Sequence, residues 1–497
     1  MAYQNAHLIE LIREKLNEIN RVLTEIESVL PNLNDDNFVF DLPSFDVTDD
    51  ANVSKLFSTE NADIEDLARI KKSIIGKLYI RIFKRFLIFR YAAKSLWVCL
   101  YPKYVEFIRV LKGAERRKWF DLISLKDYSK INGLDFHNLT EKISIKTSHP
   151  VFWPEEDAKD ICAPHEELKF DPVYLVTLTD ARVYGATNIV YVGDFAIHHD
   201  QINLQHDYTS EELHGRMQVD LKKRRLKNLT KVKEIINLSE CAAFTDACAS
   251  NYAHWMTEVL PRVALFCQQD QFKSIPIIVD SGLHKNILRS LHLVVGEQRE
   301  IVELPSFVEL KVKKLHCVSV AGYVPFQERT RKISSESHGY FNPVAMRMMK
   351  KILDENIVRR SDINWPEKVY INRVAGGRKI SNARAIEEIL KSNGFSSVRP
   401  EFFSFDDQYQ IFSNAKIIVG STGAAMANIV FAAESSKLVI FIGKVSGTKY
   451  WYWQNIRDSV GGIVCYFLSK PLNLIDGIHS DITVPVKELE GSNALNL

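Results

Sequence analysis

Apolar positions at the start of the chain follow a helical seam. Ile9, Ile12, Leu16, Ile19, Leu23, Ile26 and Leu30 are spaced 3, 4, 3, 4, 3 and 4 apart, the a/d pattern of a coiled coil over about three heptads. A coiled-coil helix is expected over 1–30, joining copies into a homo-oligomer through residues 9–30; the other reading is an amphipathic helix packed on its own domain. Residues 31–70 begin rich in Asn, Asp and Pro and read as an acidic linker. A basic helical region is expected over 71–144. Within it Ile74, Leu78, Ile82, Phe86 and Phe89 share one side of a helix, with Lys77, Arg81 and Lys84 opposite.

The texture changes near residue 145. Short β-branched or aromatic runs at 173–178 and 188–192 suggest strands with Gly and Asp turns between them. Apolar runs at 275–279, 368–371, 416–419 and 437–442 then alternate with helical stretches, the signature of buried parallel strands in an α/β fold. A charged helical stretch at 342–366 separates two such blocks. The pattern predicts two Rossmann-like domains, 145–345 and 346–475, followed by a C-terminal tail over 476–497.

Composition changes this picture little, and charge changes it more. The 497 residues are 46% hydrophobic and 25% charged, which excludes wholesale disorder and a disulfide-rich miniprotein. The net charge of +2 hides an asymmetry. Residues 1–70 hold 15 acids and 5 bases, residues 71–118 hold 14 bases and 2 acids, and the remainder is neutral. A basic amphipathic helix suits an anionic membrane surface, although it also suits a helix covering a core. Nucleic acid is the weaker partner, because the basic segment is apolar and the rest carries no net charge. Met1 to Glu10 lack a signal peptide's basic start and apolar core, and the seven cysteines are scattered without C-x2-C spacing. A reducing cytoplasm is the expected location.

Three segments carry candidate chemistry. In 416–431 a buried strand ends at Gly420 and a helix is expected from Ala424. Such a turn leaves backbone amides free for phosphate, with Ser421 and Thr422 supplying hydroxyls and Gly423 allowing close approach; the plain alternative is a tight turn with no ligand. In 369–382, Arg373 and Arg378 follow a strand. Two guanidiniums at a parallel strand's carboxyl end suit a diphosphate. In 250–262, His254 and Glu258 are four apart and share a helix face, where either is a candidate base on a sugar hydroxyl. The competing reading there is a packed helix with a hydrogen-bonded histidine.

Taken in order, these segments resemble glycosyltransferase family 61. Asn251, His254 and Glu258 fit its N-x-x-H-x-x-x-[D/E] segment, followed by Pro261. Arg373, Arg378 and Asn382 fit its strand–Arg–Arg–Asn segment, and Pro400, Glu401 and Gln408 fit the stretch after it. Gly420, Gly423, Ala424 and Asn428 fit its G-x-H-G-A…N segment. Two positions depart: Thr422 stands where many members have histidine, and Ala383 where an acid often follows the asparagine.

The resemblance implies a GT-B-like architecture with the nucleotide-sugar donor in the C-terminal half and the acceptor in the N-terminal half. It implies inverting hexosyl or pentosyl transfer. No Asp-x-Asp occurs in the chain, so no metal or other cofactor is expected. Arg373, Arg378, Asn382, Ser421, Thr422, Gly423, Ala424 and Asn428 are expected at the donor, and Asn251 and Arg262 at the acceptor. Glu258 is the first choice of base because its carboxyl is ionised at neutral pH; His254 is the competing choice. The acceptor fits a growing bacterial surface glycan, capsule or lipopolysaccharide, free or lipid-linked at the inner membrane. The alternative is an inactive nucleotide-binding or scaffold protein assembled through its coiled coil.

Overall fold

The computed structural model describes residues 87–497, apart from 112, 156–160, 162–165, 326, 330–335, 374–377, 446–447, 493–494 and 496–497. Every described residue belongs to one compact unit. The coiled coil expected over 1–30, the linker over 31–70 and the start of the basic region lie outside the described residues.

The described chain is mixed α/β with two large sheets. The first has eleven strands. Four neighbours are parallel: Val308–Val318, Glu234–Ala243, Ile277–Asp280 and Ile301–Leu304. Beyond them Tyr174–Tyr184 runs antiparallel to Val308–Val318 along its whole length, and Val190–Val192 and Phe195–His198 continue antiparallel. The parallel order expected from the sequence thus covers only part of this sheet. The reason is connection length: Gly193, at φ +55°, and Asp194 alone join Val192 to Phe195. A parallel crossover needs a dozen or more residues.

The second sheet is doubly wound. Its parallel strands lie in the order Ser396–Val398, Lys368–Ile371, Ile417–Ser421, Lys437–Gly443 and Val464–Pro471. From Lys368–Ile371 the chain moves to one side, then returns past it to Ile417–Ser421. That reversal makes a switch point, and ligands of open α/β sheets bind outside the carboxyl ends of the strands there. Arg373 and the 421–424 turn sit at those ends.

Three expected boundaries are corrected. Phe120–Ser124, placed in the basic helical region, is an interior strand of the first sheet. Val151–Trp153, placed in the first Rossmann-like domain, pairs parallel with Val464–Pro471 in the second sheet. The residues read as a C-terminal tail are folded: Ile482, Val484, Leu489 and Leu495 are buried against Ile386 and Leu390. Asn382 holds them, donating to Val484 O at 2.7 Å and accepting from Val484 N at 3.1 Å. In each case a short or solvent-flanked run is stabilised by distant pairing, which local pattern does not encode.

One apolar core serves both sheets. It runs from Phe244, Trp255 and Phe266, through Met346, Met349 and Leu353, to Ile418, Val430 and Ile440. The helices Leu260–Cys267 and Pro343–Asn356 supply its middle. On the outside, the helix Leu87–Leu111 docks by Trp97 Nε1 donating to Leu213 O at 3.1 Å. Among the described residues no helix is long and apolar enough to cross a membrane.

Candidate active site

The His254–Glu258 pair owes its geometry to a break in helical regularity. Asn251 caps the start, its side chain accepting from Ala253 N at 3.0 Å. The helix Tyr252–His254 then widens into a π-turn at Trp255–Val259 before continuing as Leu260–Cys267. Pro261 lacks the N–H that would reach back to the Thr257 carbonyl, so the ladder shifts there, with Leu260 N bonded to Trp255 O. Such single π-turns recur at functional sites. Trp255, fully buried and bonded to Ser290 Oγ at 2.9 Å, fixes the turn in the core.

Gly322 lies directly against this turn. A Cβ built on it would fall onto the Thr257 carbonyl oxygen, with the Glu258 Cα close behind. Gly322→Ala is therefore expected to push the π-turn out of place. A loss of about 1–3 kcal/mol, the usual cost of overpacking, should appear in denaturant unfolding together with a fall in turnover.

His254 Nδ1 lies 2.5 Å from Glu258 Oε1, and both side chains are largely buried. The Val324 backbone N–H lies near the Glu258 carboxylate and favours its charged form. Burial opposes the imidazolium, but the charge and hydrogen bond of Glu258 outweigh it and hold His254 above the ordinary histidine value. Burial likewise lifts the Glu258 carboxyl above its ordinary value, against the pull of His254. The two share one proton-binding unit. His254 Nε2 has no hydrogen-bond partner among the described residues.

A cavity adjoins the pair on the side of the first sheet, lined in part by His199, Asp246, Cys248 and Tyr323. His199 packs on Tyr323 in a tilted arrangement with ring centroids 4.7 Å apart, and burial pushes its pKa down to about 3. Arg262 is turned to structural tasks, donating to Glu258 O at 3.0 Å and lying 3.8 Å from Asp246 Oδ2. Asn251 is likewise occupied by its cap.

Across from the pair lies the switch point of the second sheet. The Arg373 guanidinium covers Gly423 so closely that an added methyl group would collide with Nη1, and Nη1 donates to Thr422 O at 3.4 Å. Thr422 Oγ1 accepts from Trp453 Nε1 at 3.0 Å. Ser421 is buried at the strand end, and a 3-10 helix, not an α-helix, runs over Ala424–Phe431. Asn428 lies deep inside, accepting from Tyr252 Oη and donating to Gln408 Oε1 at 2.9 Å. It ties the His254 helix to the second sheet. Asn382, bonded at both ends to Val484, holds the C-terminal segment.

Tyr452 connects the two sides. Its hydroxyl lies beside the Thr257 side chain, and it lies in the fields of both Glu258 and Arg378; burial first, then Glu258, raises its pKa. Neither Tyr452, Trp453 nor His199 stood out in the sequence. The aromatic run at 450–453 was the available signal for the first two; His199 follows an ordinary strand and had none.

The family model for Glycosyltransferase 61 matches residues 252–439. That span includes the His254–Glu258 pair, Arg373 and the turn at Gly423. No curated protein matches the chain. The chain is a glycosyltransferase that carries a family 61 domain over residues 252–439, the segment that holds the buried His254–Glu258 pair and the turn covered by Arg373.

Proposed function

We propose that this glycosyltransferase has a GT-B arrangement and moves a hexosyl or pentosyl residue from a nucleotide-sugar donor to a growing bacterial surface glycan. The transfer is inverting and needs no metal, and it takes place at the cytoplasmic face of the inner membrane. The observation that carries the reading is the His254–Glu258 pair, 2.5 Å apart, linked through Tyr452, packed on Trp453, which donates to Thr422, to the turn where Arg373 covers Gly423.

In this reading the acceptor occupies the first-sheet side and the donor diphosphate lies at the 421–424 turn. Glu258 accepts a hydrogen bond from the Nδ1–H of His254 and fixes the ring, leaving Nε2 to receive the proton of the acceptor hydroxyl. That geometry favours His254 as the base and Glu258 as its positioning residue, reversing the order of preference drawn from the sequence. The acceptor oxygen forms its bond to the anomeric carbon as the bond to the diphosphate oxygen breaks. The nucleoside diphosphate leaves with the electron pair, and its charge is met by Arg373 and Arg378.

A panel of nucleoside diphosphate sugars tests the donor directly. At least one is expected to raise the melting temperature, because a ligand bound only by the folded chain stabilises it. The shift should survive EDTA and vanish in Arg373→Ala. No shift with any nucleotide sugar, or a shift abolished by EDTA, would contradict the reading.

A further inference from the structure

One edge of the first sheet carries more positive charge than its neighbours neutralise. The edge strands Met217–Asp220 and Arg225–Asn228 form a hairpin whose turn exposes Lys222, Lys223 and Arg224. The next strand pairs Phe120 with Leu226, and Arg117 Nη2 donates to Leu229 O at 2.9 Å. Trp119 packs near two cations of one strand, with the Arg225 guanidinium 5.2 Å and Lys227 Nζ 4.6 Å from its ring.

Acids answer part of this charge. Glu106 lies 3.5 Å from Arg117, Asp220 lies 3.7 Å from Arg225, and Asp194 pairs with Lys118. Arg116, Lys222, Lys223 and Arg224 are exposed without a carboxylate in ion-pair range among the described residues. Like charges press on those further in. Burial, with Arg116, Arg117 and Arg225 adding to it against Glu106, holds Lys227 below the ordinary lysine value.

Apolar side chains adjoin the same edge. The helix Leu87–Leu111 packs beside Met217–Asp220, and its last turns expose Tyr104 at 44%, Val110 at 42% and Leu111 at 64%. Arg109 Nε donates to Glu115 O at 2.8 Å, tying the helix end to the basic segment.

We propose that this edge is the surface by which the enzyme docks on an anionic lipid bilayer. The exposed cations meet headgroup phosphates, while Tyr104, Val110 and Leu111 enter the interfacial layer. Nucleic acid supplies the charge but offers these apolar side chains no apolar phase, so lipid is the better fit. The inference deepens the membrane part of the reading above. Its test reads binding alone, so its failure is separate from that of donor chemistry.

Co-sedimentation of the full chain is measured with vesicles of phosphatidylcholine plus phosphatidylglycerol, with phosphatidylcholine alone, and with duplex DNA as competitor. Binding is expected only to the anionic vesicles and should weaken as salt rises. Lys222→Glu/Lys223→Glu should weaken it about tenfold or more, given the contribution of each charge near such a surface. Leu111→Ser should weaken it at unchanged salt dependence. Both variants keep the basic residues of 71–86, and an unchanged melting temperature shows that they are folded. Undiminished binding by the charge-reversed variant, equal binding to neutral vesicles, or displacement by DNA would each overturn the proposal.

Discussion

Glu258→Gln is expected to lower kcat by about 10²–10⁴-fold, the usual weight of a positioned acid–base group, with little change in donor KM. The substitution keeps the shape of the side chain and removes its charge. Its pH profile distinguishes the two roles open to Glu258. In the wild type the base works only when unprotonated, and the pair holds His254 above the ordinary histidine value. The acidic limb of kcat/KM should therefore lie above about 6.5, with activity falling as pH drops through it. Without the Glu258 charge, burial is the dominant influence left on His254, and it lowers the pKa. The residual activity of Glu258→Gln should show its acidic limb at lower pH. A residual profile with an unmoved limb would remove Glu258 from the positioning role. His254→Ala should lose at least as much kcat, and the double variant little more, because the residues act as one unit.

Arg373→Ala is expected to lower kcat/KM by about 10²–10³-fold, the range found when one donor to developing negative charge is removed. Arg373→Lys should recover only part of it, since an ammonium cannot fork across two phosphate oxygens. Gly423→Ala should reproduce the arginine defect without touching charge, because its methyl group would occupy the space of the Arg373 guanidinium. Steady-state kinetics with varied donor reads all three. If Gly423→Ala kept full activity, the observed contact between Gly423 and Arg373 would have no bearing on the reaction.

How much of this was legible in the sequence differs between the halves. The strands Lys368–Ile371, Ile417–Ser421 and Lys437–Gly443 are continuous apolar runs, because both faces of a parallel sheet are covered. Their α/β alternation was therefore readable. Tyr174–Tyr184 and Val308–Val318 face a core on one side along much of their length, and their antiparallel pairing depends on partners more than a hundred residues away. Val151–Trp153 has three residues and gains its place in the sheet by pairing with Val464–Pro471, more than three hundred residues away.

Spacing alone showed that His254 and Glu258 share a helix face; their candidate role came with the family resemblance, and the π-turn that supports them was not readable. Pro261 was visible, but its effect on the Thr257 carbonyl needed Gly322, far along the chain, to be seen. Asn251, Asn382 and Asn428 illustrate a different point. All three fit a motif, and each side chain is engaged within the fold: one caps a helix, one clamps Val484, one bridges Tyr252 and Gln408. A motif marks residues that the architecture needs as readily as residues that touch substrate.

The central claim is that one base, working across from the donor arginines, drives a single displacement at the anomeric carbon. Proton NMR of the transferred or slowly hydrolysed sugar tests it most directly, with whichever nucleotide sugar stabilises the fold. The account predicts a first-formed product of anomeric configuration opposite to that of the donor. A first-formed product that keeps the donor's configuration would contradict it.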